Sequence, residues 1–271
     1  MIRQPIVAGQ FYPSDADVLM AQVRSFLAEA DPRSGKGRTL LAMAPHAGYV
    51  FSGRIAGKTL GQADLASTIL LLGPNHTGMG GRFGVWPSGR WNIPGGGLDV
   101  DAELADALVQ AEPRLTSDVQ PHLREHSLEV LIPFLAAIDP ETRIVPVTVA
   151  ESSLDALLQV GAAVGRTLKG WQVPVSLVVS SDMSHYLSDI QARELDKVAL
   201  DAALSLDPCK FYETVRNRRI SMCGVFPMTL ALAVLGELGG ECMARLVAYG
   251  TSADASGDFD RVVGYAGMLV E

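Results

Sequence analysis

Histidine and cysteine are the side chains in this sequence best suited to metal or acid–base chemistry, and the chain holds five histidines and three cysteines. Three of the histidines, His46, His76 and His185, each follow a short apolar run that is typical of a strand. Open α/β sheets bind ligands beyond the carboxyl ends of their strands, so these three side chains can converge on one pocket. Imidazole is the commonest protein ligand for metals and also exchanges protons near neutral pH.

Three more residues extend this candidate set. Cys223 stands just before the predicted helix Phe226–Leu238, where a helix dipole favours a thiolate, which is a ligand for zinc, copper and iron. His126 begins an amphipathic segment and could contact a substrate or support another residue. Asp182 precedes His185 by three residues. On a helix the two side chains would share a face, and Asp182 could then orient a histidine or cap the helix.

Each of these residues also has a purely structural interpretation. A histidine after a strand is commonly a capping or surface residue, and Cys223 can equally be a buried, inert thiol. His122 has no informative neighbours and is predicted to lie on the surface, while Cys209 and Cys242 are predicted to be structural. No H-E-x-x-H, C-x-x-C, G-x-S-x-G or Walker A motif is present. A metal site would therefore be assembled from distant segments.

The elements that must position these residues alternate along the chain. Apolar runs predict strands at Leu40–Ala44, Thr68–Leu72, Ile144–Val149, Val175–Val179 and Val262–Val270. Periodic apolar positions predict helices at Asp15–Ala30 (capped by Ser14), Ala102–Val109, Leu128–Leu135, Leu154–Leu168, Ile190–Leu206 and Phe226–Leu238. Strands alternating with helices predict one α/β domain over residues 1–271, with three layers and a mixed or mostly parallel sheet flanked by helices. The glycine-rich segment 78–98 is predicted to be irregular, with room for a hairpin, and Gly95–Gly97 to be a flexible loop.

Composition excludes several classes of partner. Twenty-two basic against thirty acidic residues give a net charge of −8, so we expect no binding to nucleic acid and no adhesion to anionic membranes. No signal peptide is evident, and the longest apolar stretch, Ile220–Gly236, is shorter than a spanning helix needs. Three cysteines do not make a disulfide framework. We expect a cytoplasmic protein.

Taken together, several short motifs resemble the Memo family, and they follow the family order over essentially the whole chain. They are Ala8-Gly9-Gln10-Phe11-Tyr12-Pro13, Pro45-His46-Ala47-Gly48-Tyr49, Leu72-Gly73-Pro74-Asn75-His76, Glu125-His126-Ser127, Ser180-Ser181-Asp182 with His185, Met222-Cys223-Gly224 and Gly264-Tyr265-Ala266-Gly267. Bacterial and archaeal chains of this kind resemble protein B of the AmmeMemoRadiSam system. The name of that system reflects gene association with an AMMECR-type protein and a radical-SAM protein.

The resemblance implies a fold similar to that of class III extradiol dioxygenases, which are non-haem iron(II) enzymes. It also implies metal ligation by His46, His76 and Cys223, with His185 lining the same pocket. Non-haem iron oxygenases use two histidines and one carboxylate, so a cysteine in the third position argues against assuming ring cleavage. We expect iron or copper as the cofactor, with zinc as the alternative.

Three classes of function are consistent with these residues. The first is a metal-dependent redox enzyme that acts on O₂ or a small-molecule substrate, with His185 as acid or base and with Asp182 and His126 in support. The second is a binding or scaffold protein on a dioxygenase-like fold, working with AMMECR-type and radical-SAM partners. The third is a protein that handles iron or copper without turnover.

Overall fold

The computed structural model describes residues 1–32 and 37–271. The strands in these ranges are β1 (Ile2–Arg3), β2 (Leu41–Ala44), β3 (Thr68–Pro74), β4 (Phe83–Val85), β5 (Arg90–Ile93), β6 (Gly96–Val100), β7 (Thr116–Ser117), β8 (Arg143–Val149), β9 (Val175–Ser180), β10 (His185–Leu187), β11 (Ala244–Thr251) and β12 (Val262–Val270). The helices are α1 (Ala16–Ala28), α2 (Tyr49–Gln62), α3 (Ala102–Ala111), α4 (Ile132–Ile138), α5 (Leu154–Lys169), α6 (Asp189–Leu204), α7 (Pro208–Asn217), α8 (Val225–Leu238) and α9 (Ala253–Ser256).

The sheet is mixed and mostly parallel, as the alternation of strands and helices predicts. At its centre, β6, β8, β3, β9 and β2 lie side by side in that order and are all parallel. On one side β12 runs antiparallel to β2, and both β10 and β11 run antiparallel to β12. On the other side β5 and β6 form an antiparallel hairpin. The α/β fold class is confirmed.

Helices cover both faces of this sheet, which is why its central strands are apolar throughout. Along β2, Leu41 and Met43 belong to one hydrophobic core, while Ala42 and Ala44 belong to the other. The first core also receives α3, α5, α6, α7 and α8, and the second receives α1, α2 and α4. Because successive side chains of a strand point to opposite faces, this alternation gives the three layers. No helix in the described ranges is both long enough and apolar enough to cross a bilayer.

Several local predictions need correction. Helix α1 begins one residue later than predicted and is capped by Asp15 rather than Ser14, because the Asp15 side chain accepts a hydrogen bond from the Val18 amide. The pattern at Leu128–Leu135 forms a 3₁₀ turn at Glu129–Leu131 and then the short α4, rather than one continuous helix. Helix α7 and strand β11 were not predicted. The Asp-Pro pair at 207–208 was the available signal for α7, since Asp207 caps it and Pro208 starts it.

The condition under which Asp182 and His185 would share a helical face is not met. Residues 182–184 form no helix, and His185 starts β10, which pairs with β12. Tyr186 has a φ of 63°, which no helix accommodates. The glycine-rich segment does form a hairpin, since Gly96 and Gly97 lie in β6 and Gly95 turns the chain with a φ of 79°. Gly96 and Gly97 are therefore strand residues rather than a flexible loop.

The prediction that His122 lies on the surface is also wrong, because its side chain is fully buried. The ring packs edge-on against Trp86 and Trp91, with ring centroids 5.8 and 5.6 Å away. Its Nε2 lies 2.9 Å from the carbonyl of Gly84. Burial lowers the pKa of His122 to about 4, so the neutral imidazole is a core residue.

Candidate metal centre

The structure brings His46, His76 and Cys223 together at the carboxyl edge of the sheet. His46 follows β2, His76 follows β3, and Cys223 precedes α8. One ligand atom from each residue lies within 4.8 Å of the other two, and Cys223 Sγ is 3.4 Å from His46 Nε2. His46 is buried, Cys223 is half-buried and His76 is exposed, so the cluster opens to solvent on the side of His76.

The close approach of α8 to the sheet depends on Gly224. A Cβ at this position would overlap the Ser181 side chain, and the Gly224 amide donates a 3.1 Å hydrogen bond to Ser181 Oγ. Any larger residue would push the start of α8 away from the end of β9. The Met-Cys-Gly motif thus combines a sulfur donor with the glycine that allows it to reach His46.

Hydrogen bonds fix the tautomer of His46. The Ser180 hydroxyl donates to the Ser127 carbonyl at 2.6 Å, which leaves its oxygen as an acceptor. His46 Nδ1 is 2.7 Å from that oxygen and therefore carries the proton. The lone pair of His46 then sits on Nε2, which faces Cys223. Such a hydrogen bond to the remote nitrogen is the usual device that orients a ligating histidine.

His76 is oriented in the same way by a carboxylate. Its Nδ1 is 2.9 Å from Glu125 Oε1 and its backbone amide donates to Glu125 Oε2. Glu125 also accepts a 2.9 Å hydrogen bond from the Ser127 amide. With Nδ1 held by the carboxylate, Nε2 of His76 is the nitrogen left for a ligand, and the carboxylate increases its basicity.

Electrostatics keep the His46–Cys223 pair neutral. Burial, followed by the neighbouring His126 and His76, lowers the pKa of His46 well below its usual value. Burial, followed by the charge of Asp182, raises the pKa of the Cys223 thiol. The thiolate expected from the helix dipole is therefore not favoured by the protein alone. A bound dication would reverse this, because a metal ion deprotonates a coordinating thiol.

His76 and Glu125 form the charged part of the site. Burial alone would lower the pKa of His76, but the hydrogen bond to Glu125 and the charge of Glu125 outweigh it, and the pKa is raised. For Glu125, burial acts to raise the pKa. The hydrogen bond and charge of His76, with the two backbone amides, act more strongly and lower it to about 2. Glu125 is thus a stable anion whose side chain is only 1% exposed.

His126 lies directly against the cluster, which its neighbours in the sequence do not indicate. Its ring stacks on His76 with centroids 5.1 Å apart and lies 5.5 Å from the ring of His46. His76, Glu125 and His126 form a second group whose ligand atoms lie within 4.8 Å of one another. Burial lowers the pKa of His126, so its imidazole is neutral and available as a base or a ligand.

Asp182 joins two of the predicted ligands. Its Oδ1 accepts a 2.8 Å hydrogen bond from the His46 amide, and its own amide donates to Cys223 Sγ at 3.2 Å. Burial raises the pKa of Asp182. The Asp182 side chain therefore holds the backbone of His46, while the Asp182 main chain contacts the sulfur of Cys223.

His185 lies beside the cluster rather than in it. Its amide donates to Ser221 Oγ at 2.8 Å, and its Nδ1 donates to the Ser221 carbonyl at 2.9 Å. The second bond leaves Nε2 free of protein partners within the described residues. His185 is half-buried and belongs to neither ligand group formed by those residues.

Sequence reasoning missed Glu125 and Ser180, the two residues that orient the imidazoles. Both stand inside the Memo-like motifs, next to His126 and close to Asp182 respectively. A glutamate flanked by histidine and serine was the available signal for Glu125. Cys209 and Cys242 are half-buried free thiols outside both ligand groups.

The donor set fits a single metal ion. Typical zinc distances of about 2.3 Å to sulfur and about 2.0–2.1 Å to nitrogen, at a tetrahedral angle, place those two atoms roughly 3.5 Å apart. The observed separation of Sγ from Nε2 is 3.4 Å. The second imidazole completes a set of nitrogen and sulfur ligands that suits zinc, copper or iron better than magnesium or calcium.

Comparison with known proteins identifies the family. The family model described as "Memo-like protein" matches residues 3–269. The chain belongs to the Memo family. A MEMO1 family protein of Methanopyrus kandleri is 37% identical over 99% of both chains. MEMO1 family proteins of Methanosarcina barkeri and Aquifex aeolicus are 37% and 34% identical, each over at least 98% of both chains.

A solved structure supports the shared fold. An uncharacterized protein of Escherichia coli K12 superimposes with a TM-score of 0.52 and 14% identity, covering 86% of this chain and 100% of its own. At this identity the similarity concerns the fold alone.

Proposed function

We propose that this Memo-family chain is a metal-dependent redox protein whose ion is held by His46 Nε2, His76 Nε2 and Cys223 Sγ. The observation that carries the proposal is the fixed tautomer of both histidines. Ser180 and Glu125 occupy the two Nδ1 atoms, and the ligand atoms of the two rings and the sulfur lie within 4.8 Å of one another. Histidines that served only to fill the core would not need both Nδ1 atoms held by hydrogen bonds and a ligand atom of each ring close to one sulfur.

Iron or copper is the proposed ion, with zinc as the alternative. Three protein ligands leave a coordination position open, which is the arrangement of catalytic rather than structural sites. Iron or copper bound there would supply electron transfer to O₂ or to a small-molecule substrate. The thiolate donates more charge than the carboxylate of the usual iron oxygenase triad, so the proposal does not include ring cleavage.

The neighbouring groups handle protons and position the ligands. Neutral His126 stacks on His76 and can accept a proton from a substrate. His185 keeps Nε2 free at the edge of the cluster, where it can donate or accept a proton. Asp182 is a positioning residue, because its contacts are to the His46 amide and to Cys223.

A second candidate, metal handling without turnover, follows from the position of His126. If this imidazole supplies a fourth ligand, the site is closed, as in structural and storage sites. His126→Ala distinguishes the two functions. An open site keeps its metal affinity in this variant, whereas a closed site loses a ligand and most of its affinity.

The test of the proposal is elemental analysis of protein purified anaerobically without a histidine tag. We expect about one equivalent of iron or copper in the wild type, and none in His46→Ala/His76→Ala or in Cys223→Ala. Cys242→Ala is the matched control, since it also removes a half-buried thiol and should keep the metal. Full metal content in Cys223→Ala would refute the ligand assignment.

A further inference from the structure

A cavity of about 570 Å³ borders the candidate metal centre on the side of Cys223. Its walls are formed by the end of α7, the segment leading to Cys223 and the start of α8. The polar and charged residues in this wall are Arg216, Arg219, Ser221 and Cys223. The volume is that of ordinary small-molecule sites, which span about 300–1,000 Å³.

Two positive charges in this wall are unpaired. Within the described part of the chain, no carboxylate oxygen lies within 4.0 Å of the guanidinium of Arg216 or Arg219. The Arg216 guanidinium lies over the ring of Phe226, 6.0 Å from its centroid. The chain as a whole carries a net charge of −8. The two arginines without acidic partners therefore make the surface beside Cys223 locally positive on a negatively charged protein.

The backbone at Arg219 fixes where this side chain leaves α7. Helix α7 ends in a Schellman motif, in which the Ile220 amide donates to the Val215 carbonyl and the Arg219 amide to the Arg216 carbonyl. The residue that turns left-handed in this motif is usually glycine. Here it is Arg219, with a φ of 53°. The chain therefore keeps a long cationic side chain at a position whose backbone favours glycine.

We propose that this cavity binds the carboxylate or phosphate group of a small molecule through Arg216 and Arg219, and so presents an anionic substrate to the metal centre. Paired guanidinium groups are the side chains best matched to such oxyanions. The substrate role rests on the proposed function. The anion binding itself does not, because neither arginine is a metal ligand.

The experiment is calorimetric titration of the full chain with inorganic phosphate and, separately, with benzoate. The anion that binds more tightly shows whether the natural ligand carries a phosphate or a carboxylate. We expect Arg216→Gln and Arg219→Gln each to weaken binding of that anion by about tenfold or more, as expected for loss of a charge-assisted hydrogen bond. Arg218→Gln is the matched control. It removes the same charge from the same segment, but Arg218 lines a different, partly acidic cavity, so binding should change less than twofold.

A second variant separates binding from folding. Arg219→Gly relieves the left-handed backbone and should raise the melting temperature while it weakens anion binding. The proposal is overturned if the wild type binds neither anion, if both arginine variants bind as the wild type does, or if Arg218→Gln weakens binding equally. Arginine-dependent binding in a chain that takes up no metal would support the anion site and refute the proposed function. Metal binding without anion binding would refute the anion site and support the proposed function.

Discussion

Replacing Glu125 with glutamine keeps the size of the side chain and removes its charge. Glu125 has a pKa of about 2 in the folded chain against 4.5 for a free glutamate. A difference of this size corresponds to about 3 kcal/mol of unfolding free energy. The side chain is 1% exposed, so solvent screens this contribution little. Glutamine also turns an –NH₂ group toward the backbone amides that donate hydrogen bonds to the carboxylate. We therefore expect Glu125→Gln to lower the unfolding free energy by about 3 kcal/mol.

The loss should depend on pH in a particular way. The pKa of Glu125 is lowered on folding, so its contribution is present above pH 4.5 and disappears as the pH falls through about 2. The pKa of His76 is raised on folding, so its contribution is full below pH 6.5 and disappears as the pH rises through the folded value. The stability difference between wild type and Glu125→Gln should therefore be largest between about pH 4.5 and 6.5.

Urea unfolding followed by circular dichroism, at a series of pH values, measures this difference. Glu194→Gln is the control, because Glu194 is an exposed residue of α6 and its replacement should change stability by less than about 0.5 kcal/mol. A difference that stays constant from about pH 3 to about pH 8 would refute the reasoning. So would a Glu125→Gln protein as stable as the wild type near pH 5.5.

Three further outcomes follow from the same geometry. The pKa values of the Cys223 thiol and of His76 are both raised, so metal binding must displace a proton from each. Affinity in a competition titration should rise about tenfold per pH unit above the folded pKa of His76, and more steeply below it. A profile that is flat above that pKa would exclude Sγ as a ligand. Ser180→Ala removes the acceptor that fixes His46 Nδ1, so metal affinity should fall about 10–100-fold in the same titration, and unchanged affinity would contradict the tautomer argument. Arg3→Met leaves Glu129 without its buried 2.7 Å partner and should cost about 3–5 kcal/mol in denaturant unfolding. Adding Glu129→Gln should recover part of that loss, and no recovery would show that the pair is not the cause.

The elements nearest the site were predictable because their signals are local. The apolar runs before His46 and His76 are bounded by turn residues, and the predicted strands match β2 and β3 within two residues. Because these strands are parallel, the histidines that follow them meet at one edge. This is why the convergence of the two imidazoles could be expected from the sequence.

The rest of the site depends on contacts between distant segments, which leave no periodic signal. Glu125 becomes a partner of His76 only because residues 120–131 fold back against the end of β3, with a sequence separation of 49 between the two. His122 is buried by Trp86 and Trp91, and nothing in its own neighbourhood indicates this. Tyr186 adopts a left-handed φ that prevents a helix, although its residue type favours no such conformation.

The sequence separation of 177 between His46 and Cys223 has a consequence for how the protein is made. At elongation rates of about 5–20 residues per second, roughly 9–35 s pass between synthesis of the first imidazole and synthesis of the thiol. During that interval a nascent chain cannot offer an ion the proposed ligand set of His46, His76 and Cys223. An ion at the proposed site would thus be taken up only after this stage of translation, and it would mark a polypeptide in which the segments around His46 and Cys223 are already in contact.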